Sequence, residues 1–438
     1  MPSSPTSQTP QPSSIPTSLL DPEKPPLPLP TTVEDEINSL GPAPDGGLVA
    51  WLNVFGGFCI FFSCLGFTSC FGVLQEYYST HQLKDHDMDE IAWIGSVAAF
   101  IQFAGGAVGG PVFDRFGVWM LRPASLIYVF GLMMVSLCDK YYQFILAQSL
   151  LMGGSVALLQ FLAMGVTGHY FDKRRAAAMG ILVSGSSIGG VVFPIVLSKL
   201  LNSSSLSFGW SIRIIAFIIL PFMLFACIVI RPRFPPRKTT IFIGAAWKTK
   251  KYVLLVSAFF FMMMGMWTPL FYIPTYAVRR GMSPLLASYL LAVLNGSSTF
   301  GRIIPGVLAD KLGRINMFAF AGISTGIVVF CINEPRTNAG IIVYSVFFGF
   351  VSGTIISAGS AALSGCTNDP RNIGTYMGMG MGLASFAVLV GPPINGALLD
   401  KYGGFVQVSV FSGVVILFGG ILALSSKFAT PEGMWSKV

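Results

Sequence analysis

From Leu48 onward, apolar stretches of about twenty residues alternate with short charged loops, and few folds accommodate such a pattern. A hydrocarbon core about 30 Å thick is crossed by roughly 20 residues of α-helix. The pattern predicts twelve spans, at residues 48–75, 91–111, 119–137, 142–166, 177–200, 209–230, 252–277, 284–308, 316–333, 339–361, 372–397 and 404–426. Charged residues make up 11% of the chain. That is less than half the roughly 25% of a soluble domain. The expected fold is an all-α polytopic membrane protein with two six-helix halves.

Residues 1–44 hold 12 of the 28 prolines and show no apolar period, which predicts a disordered tail. The tail has no apolar signal-peptide core, so the first membrane helix is expected to direct targeting. The basic Pro-containing stretch 231–251 reads as a connector between six-helix halves at 45–230 and 252–426, with a short tail at 427–438. Basic residues favour the side that would hold both termini by eighteen to eight, with Arg302 left over from the total of 27. The positive-inside rule makes that side cytoplasmic. The net charge of +8 is largely this bias, so nucleic-acid binding is not needed to explain it. The seven cysteines lie in or beside apolar runs without metal-ligand spacing and read as small buried hydrophobes.

The chain repeats itself. Gly110–Gly117 reads GPVFDRFG, and Gly306–Arg314 reads GVLADKLGR, at an offset of 196 residues. A second echo pairs Lys173, Gly180 and Pro194 with Arg371, Gly378 and Pro392, at an offset of 198. Two related halves with helix-breaking residues point to a transporter whose site lies between them near the midplane. A single polar loop could merely orient the chain by charge, but two copies in register argue against that.

The GxxxD[RK]xG pattern resembles the signature of the major facilitator superfamily. The resemblance implies that Asp114, Arg115, Asp310, Lys311 and Arg314 gate the cytoplasmic side. PDGGLVAW at Pro44–Trp51 and YFDKRRAAAMG at Tyr170–Gly180 resemble motifs of the monocarboxylate-transporter family, in its fungal branch. The likeness covers the twelve spans and leaves out the tail. Leu48 stands where the family usually has an aromatic residue. Carboxylate-carrying members place a Lys in helix one and an Asp four residues before an Arg in helix eight. Here those places fall on Ser69, Ser298 and Arg302. The lactate-type proton mechanism therefore does not carry over intact.

Arg302 stands eight residues before Asp310, about 12 Å inside the end of helix eight at ~1.5 Å per residue. A central Arg costs at least about 2.5 kcal/mol on insertion scales, so it needs a cavity or a partner. Helix carbonyls, Asn295 or water would make it structural. The favoured expectation is an unpaired cation in a central cavity, suited to an anionic or acceptor-rich solute through its planar fork. Asn295, Ser298, Ser69 and Tyr272 join it as candidate substrate-binding residues. Asn53, Gln102, Gln160 and Asn395 fit the cavity or helix-to-helix hydrogen bonding equally well. Trp267, Phe271, Tyr272 and Tyr276, with Pro269 and Pro274 between them, predict a broken aromatic helix seven, with Tyr276 in the outer interfacial belt. Asn202 begins an Asn-Ser-Ser acceptor sequence for glycosylation in an outer loop.

The resulting expectation is secondary or facilitative transport of a small organic solute: a monocarboxylate, a vitamin or a secondary metabolite. A non-transporting nutrient sensor on the same fold is the alternative, against which the short C-terminal tail weighs. No paired acids, Ser-His arrangement or HExxH motif marks an enzyme, and no Walker loop marks an ATPase. No catalytic residue, metal or cofactor is expected, and no mid-membrane acid is present for proton coupling. The expected partners are the solute and the lipid bilayer, with a monomer sufficient for transport. The plasma membrane is the expected location, with a vacuolar or other internal membrane as the alternative.

Overall fold

The computed structural model describes residues 41–202, 206–235, 242–367 and 369–429. Most of the predicted tails, the middle of the connector and the residues following Asn202 lie outside that set. Among the described residues there is no β-strand. We number the helices by span, each label covering the segments given with it. They are α1 (Leu48–Thr68 and Phe71–Thr80), α2 (Met88–Ala104 and Gly106–Phe116), α3 (Leu121–Val135), α4 (Tyr141–Phe144, a π turn Ile145–Met152, and Gly153–Tyr170), α5 (Arg175–Asn202) and α6 (Phe208–Val229). The second six are α7 (Lys250–Arg279), α8 (Pro284–Leu312), α9 (Arg314–Phe330), α10 (Asn338–Ser364), α11 (Ile373–Tyr402) and α12 (Val406–Ser425). The face at which α1 begins is called the lower face here.

Ten helices among the described residues are long and apolar enough to cross a membrane on those grounds alone. The two further spans are α2, divided at Gly105, and α8, whose middle carries Asn295, Ser297, Ser298, Thr299 and Arg302. Most helices run a few residues past the apolar stretches. Asp114 and Asp310 consequently occupy the last helical turns of α2 and α8 rather than loops. Each helix stops at a glycine with positive φ, Gly117 at 67° and Gly313 at 100°. A side chain there would be strained. These two glycines are 196 residues apart, so the sequence repeat is also a repeat of backbone conformation.

The expected break in α7 is absent: Lys250–Arg279 is one helix with Pro269 and Pro274 inside it. Neighbouring polar side chains stabilise the bundle beside these prolines. Thr268 Oγ1 pairs with Ser412 Oγ at 2.7 Å, and Asn395 Nδ2 donates to Thr268 Oγ1 at 2.7 Å. Such contacts let a packed bundle tolerate proline in a span. Tyr276 is not in an interfacial belt. It is buried, and its hydroxyl donates toward the carbonyls of Asn333 and Pro335 in the loop after α9. Of the cysteines, Cys331 departs from the buried expectation and is exposed at the end of α9.

Candidate functional site

The two six-helix sets meet along two seams, α2 against α11 and α5 against α8. Both seams close at the lower face by the same device. Asp114 Oδ2 accepts from the backbone N–H and the hydroxyl of Thr375, each at 2.6 Å, in the first turn of α11. The Asp310 carboxylate accepts from the N–H groups of Ala176 and Ala177, at 2.9 and 2.8 Å, in the first turn of α5. The first helical N–H groups have no partner within their own helix, and the aligned peptide dipoles favour a negative charge there. Each carboxylate thus caps a helix of the opposite set.

The approach needs missing side chains. A Cβ on Gly110 would lie 2.0 Å from the Gly374 carbonyl oxygen, and one on Gly180 would lie 2.3 Å from that of Arg302. Gly180 and Gly378, partners in the second sequence echo, take equivalent places, against α8 and α2 respectively. The two seams are therefore related by the repeat, with acceptor and helix N-terminus exchanged between sets.

Basic residues reinforce the Asp310 clamp. Arg314 Nε lies 3.6 Å from Asp310, and its Nη2 reaches the carbonyl of Asp172. Arg175 Nη1 donates across the seam to the Ser364 carbonyl at 3.1 Å, and its Nη2 pairs with Asp172 at 3.3 Å. Arg115 and Lys311, expected in the gate, are exposed, and Arg115 lies over the ring of Phe116. Asp172 and Arg175 were missed as gate candidates because the Lys-Arg-Arg run reads first as an orientation signal. Thr375 had a usable signal: it lies 198 residues after Ala177.

Asp45, in the PDGG motif, has φ 51° and accepts from the N–H groups of Asp172 and Arg174 at 2.7 and 3.2 Å. Its own N–H donates to the Tyr170 carbonyl at 3.0 Å. The segment before α1 thereby holds the α4–α5 loop that presents Asp172 to Arg314. Asp45→Ala is expected to cost about 1 kcal/mol, as for a lost helix cap. Hydrogen exchange at the Asp172 and Arg174 amides should then quicken about fivefold, read by mass spectrometry.

Arg302 is not an unpaired cation. Its Nη1 donates to the Val183 carbonyl at 2.8 Å and also to the Ser186 hydroxyl, both on α5. The guanidinium is buried where α5 and α8 cross, and one helix carbonyl and one hydroxyl serve it, close to the structural alternative. Nε has no hydrogen-bond partner among the described residues.

Two other candidates do converge. Ser69 Oγ of α1 and Asn295 Nδ2 of α8 lie 3.1 and 3.2 Å from where a Cβ on Gly190 of α5 would stand. This polar corner is above Arg302 on the same seam. Ser298 instead lies against Gly353 of α10. Tyr272 donates to the Pro392 carbonyl of α11 at 3.3 Å, within the second set of helices. Asn53 and Asn395 are bonded within their own sets, Asn53 to the Val49 carbonyl and the Arg231 N–H, Asn395 to Thr268 and Ser412. Gln102 and Gln160 contact one another at 3.5 Å. Asn202 is exposed at the end of α5.

The comparisons agree with this architecture. A family model described as Major Facilitator Superfamily matches residues 56–333 and 306–437. The chain is 49% identical over 392 residues to the aspyridones efflux protein apdF of Emericella nidulans, covering 90% of this chain and 80% of that protein. It is 38% identical over 391 residues to the agnestins efflux protein AgnL12 of Paecilomyces divaricatus, covering 89% of each. The crystal structure of the transporter FucP in its outward conformation superposes with a TM-score of 0.66 at 15% identity, over 86% of this chain and 98% of that one. With crossed clamps repeated in both sets of helices and a family model spanning both, the chain belongs to the major facilitator superfamily.

Proposed function

We propose that the protein is a secondary transporter that exports a small organic secondary metabolite by alternating access. The observation that carries this reading is the pair of repeat-related clamps, Asp114 on α11 and Asp310 on α5. Paired helix-capping contacts close one face, and conformations of such a protein differ by only a few kcal/mol, as alternating access requires. The basic bias supports a cytoplasmic lower face, and on that reading the conformation described is closed toward the cytoplasm. Export and the metabolite class are supported by the two relatives named as efflux proteins.

A monocarboxylate-like solute is the second reading, and Arg302 supports it. When the clamps release, α5 and α8 separate and the guanidinium loses Val183 and Ser186, leaving its fork for a carboxylate. Asn295, Ser69, Ser298 and Tyr272 remain the accompanying binding candidates, and Asn202 the glycosylation candidate.

Sealed vesicles carrying the full chain distinguish these readings. A panel of labelled monocarboxylates, vitamins and fungal metabolites would be tested with and without a proton gradient, beside Arg302→Ala at matched protein level. For metabolite export with Arg302 acting as a strut, Arg302→Ala is expected to lower the maximal rate several-fold at nearly unchanged KM. For carboxylate transport it is expected to raise KM about tenfold or more. Failure of every solute to move would overturn the transporter reading.

A further inference from the structure

Five aromatic rings gather where α2, α7 and α11 meet. Phe100 of α2 lies 5.6 Å, centroid to centroid, from Phe386 of α11. One helical turn lower on α2, Phe103 meets Trp267 of α7 edge to face at 6.4 Å, joining the two sets of helices. Phe271 follows Trp267 by one turn on the same face of α7, at 6.1 Å from it. Phe271 and Phe386 are 57% and 50% exposed, whereas the indole nitrogen of Trp267 is inaccessible. The aromatic face of α7 is thus covered at Trp267 and open immediately above it.

Trp267 Nε1 has no hydrogen-bond partner among the described residues. A buried N–H without an acceptor is unfavourable, and a tryptophan placed purely for packing could be replaced by phenylalanine without that penalty. The nitrogen stands at the boundary between the two sets of helices, where alternating access would open and close a path. Flat aromatic walls favour a flat aromatic solute, through offset stacking and burial of apolar area.

We propose that Trp267 determines solute specificity. Its indole N–H donates to a carbonyl or ring-nitrogen acceptor on a planar aromatic solute lying against Phe271, Phe100 and Phe386. This rests on the transport function proposed above and narrows its substrate class to planar aromatic molecules carrying an acceptor. Arg302 and the Ser69–Asn295 corner belong to the α5–α8 seam and are not part of it.

The test is equilibrium binding to the purified full chain, with tritiated 2-quinolone as the acceptor-bearing probe and 2-methylnaphthalene as a flat competitor that lacks an acceptor. Wild type is expected to bind 2-quinolone and to prefer it over 2-methylnaphthalene about tenfold, the effect of one buried hydrogen bond. Trp267→Phe keeps a ring and removes the donor, so it should lose that preference while still binding 2-methylnaphthalene. Trp267→His restores an N–H and should recover part of the preference. Retained 2-methylnaphthalene binding shows that the variants are folded. The proposal is overturned if wild type binds no 2-quinolone, or if Trp267→Phe binds it within twofold of wild type. Solute accumulation in vesicles by that same variant would leave the transport function standing while this specificity fails.

Discussion

Gly110→Val is expected to reduce the transport rate at least tenfold without loss of folded protein. The Cβ alone would stand 2.0 Å from the Gly374 carbonyl oxygen, which is backbone and cannot swing aside. Overpacking of this kind costs about 1–3 kcal/mol when the structure can relax. Here relaxation is available, because α2 and α11 can move apart. The strain therefore acts on the closed lower face rather than on the fold of either set of helices. Conformations of such a protein differ by only a few kcal/mol, so a shift of about 2 kcal/mol makes the closed form a minority. The check has two parts: initial transport rate in vesicles, and labelling of a cysteine introduced near the lower end of α11 by a membrane-impermeant thiol reagent. Labelling should rise as transport falls. Gly180→Val, on the related seam, is expected to behave alike, since its Cβ would stand 2.3 Å from the Arg302 carbonyl oxygen. Wild-type labelling together with lost transport would place the defect elsewhere.

Asp114→Ala and Asp310→Ala should produce the same phenotype by loss of attraction rather than by a clash. Asp114 leaves the Thr375 N–H and hydroxyl without their acceptor, and Asp310 leaves two N–H groups at the start of α5. Hydrogen bonds to a charged group contribute about 1.5–3 kcal/mol, and the dipole at the helix N-terminus adds to this. Each replacement is expected to lower the transport rate about tenfold or more. The two acids hold different seams but the same closed state, so their free energies should nearly add. The rate need not follow, because once the closed form is rare a second loss changes the populations little. Labelling at the lower face reports the population directly and should show the double variant as open as the more affected single one. Asp310→Asn is expected to fall between, since its amide oxygen can still accept one N–H without the charge. Arg115→Ala and Lys311→Ala serve as controls, because both side chains are exposed and lie outside the clamps.

The twelve helices, their order and the repeat were legible in the sequence. Long apolar runs are constrained by bilayer thickness, and a backbone in lipid must satisfy its own hydrogen bonds. Asp114 and Asp310 were legible for a related reason: acids at the ends of apolar helices, twice at the same offset, need a common explanation. Helix continuity was less legible. Proline composition predicts a break in α7, yet neighbouring side chains and packing keep Lys250–Arg279 whole.

What only the tertiary structure decided is which groups meet across the seams. No local pattern tells that Asp114 caps α11 and Asp310 caps α5, because those partners are 261 and 134 residues away. Nor could the sequence show that Arg302 is served by Val183 and Ser186, since the donor and its acceptors sit on different sets of helices. Among the polar candidates it is again the crossing of α1, α5 and α8 that brings Ser69 and Asn295 together at Gly190 and leaves Ser298 facing α10. Hydropathy and helical period act along the chain and determine what spans the membrane. Side-chain reach acts across it, and the packing of one six-helix set on the other decides which residues close the lower face.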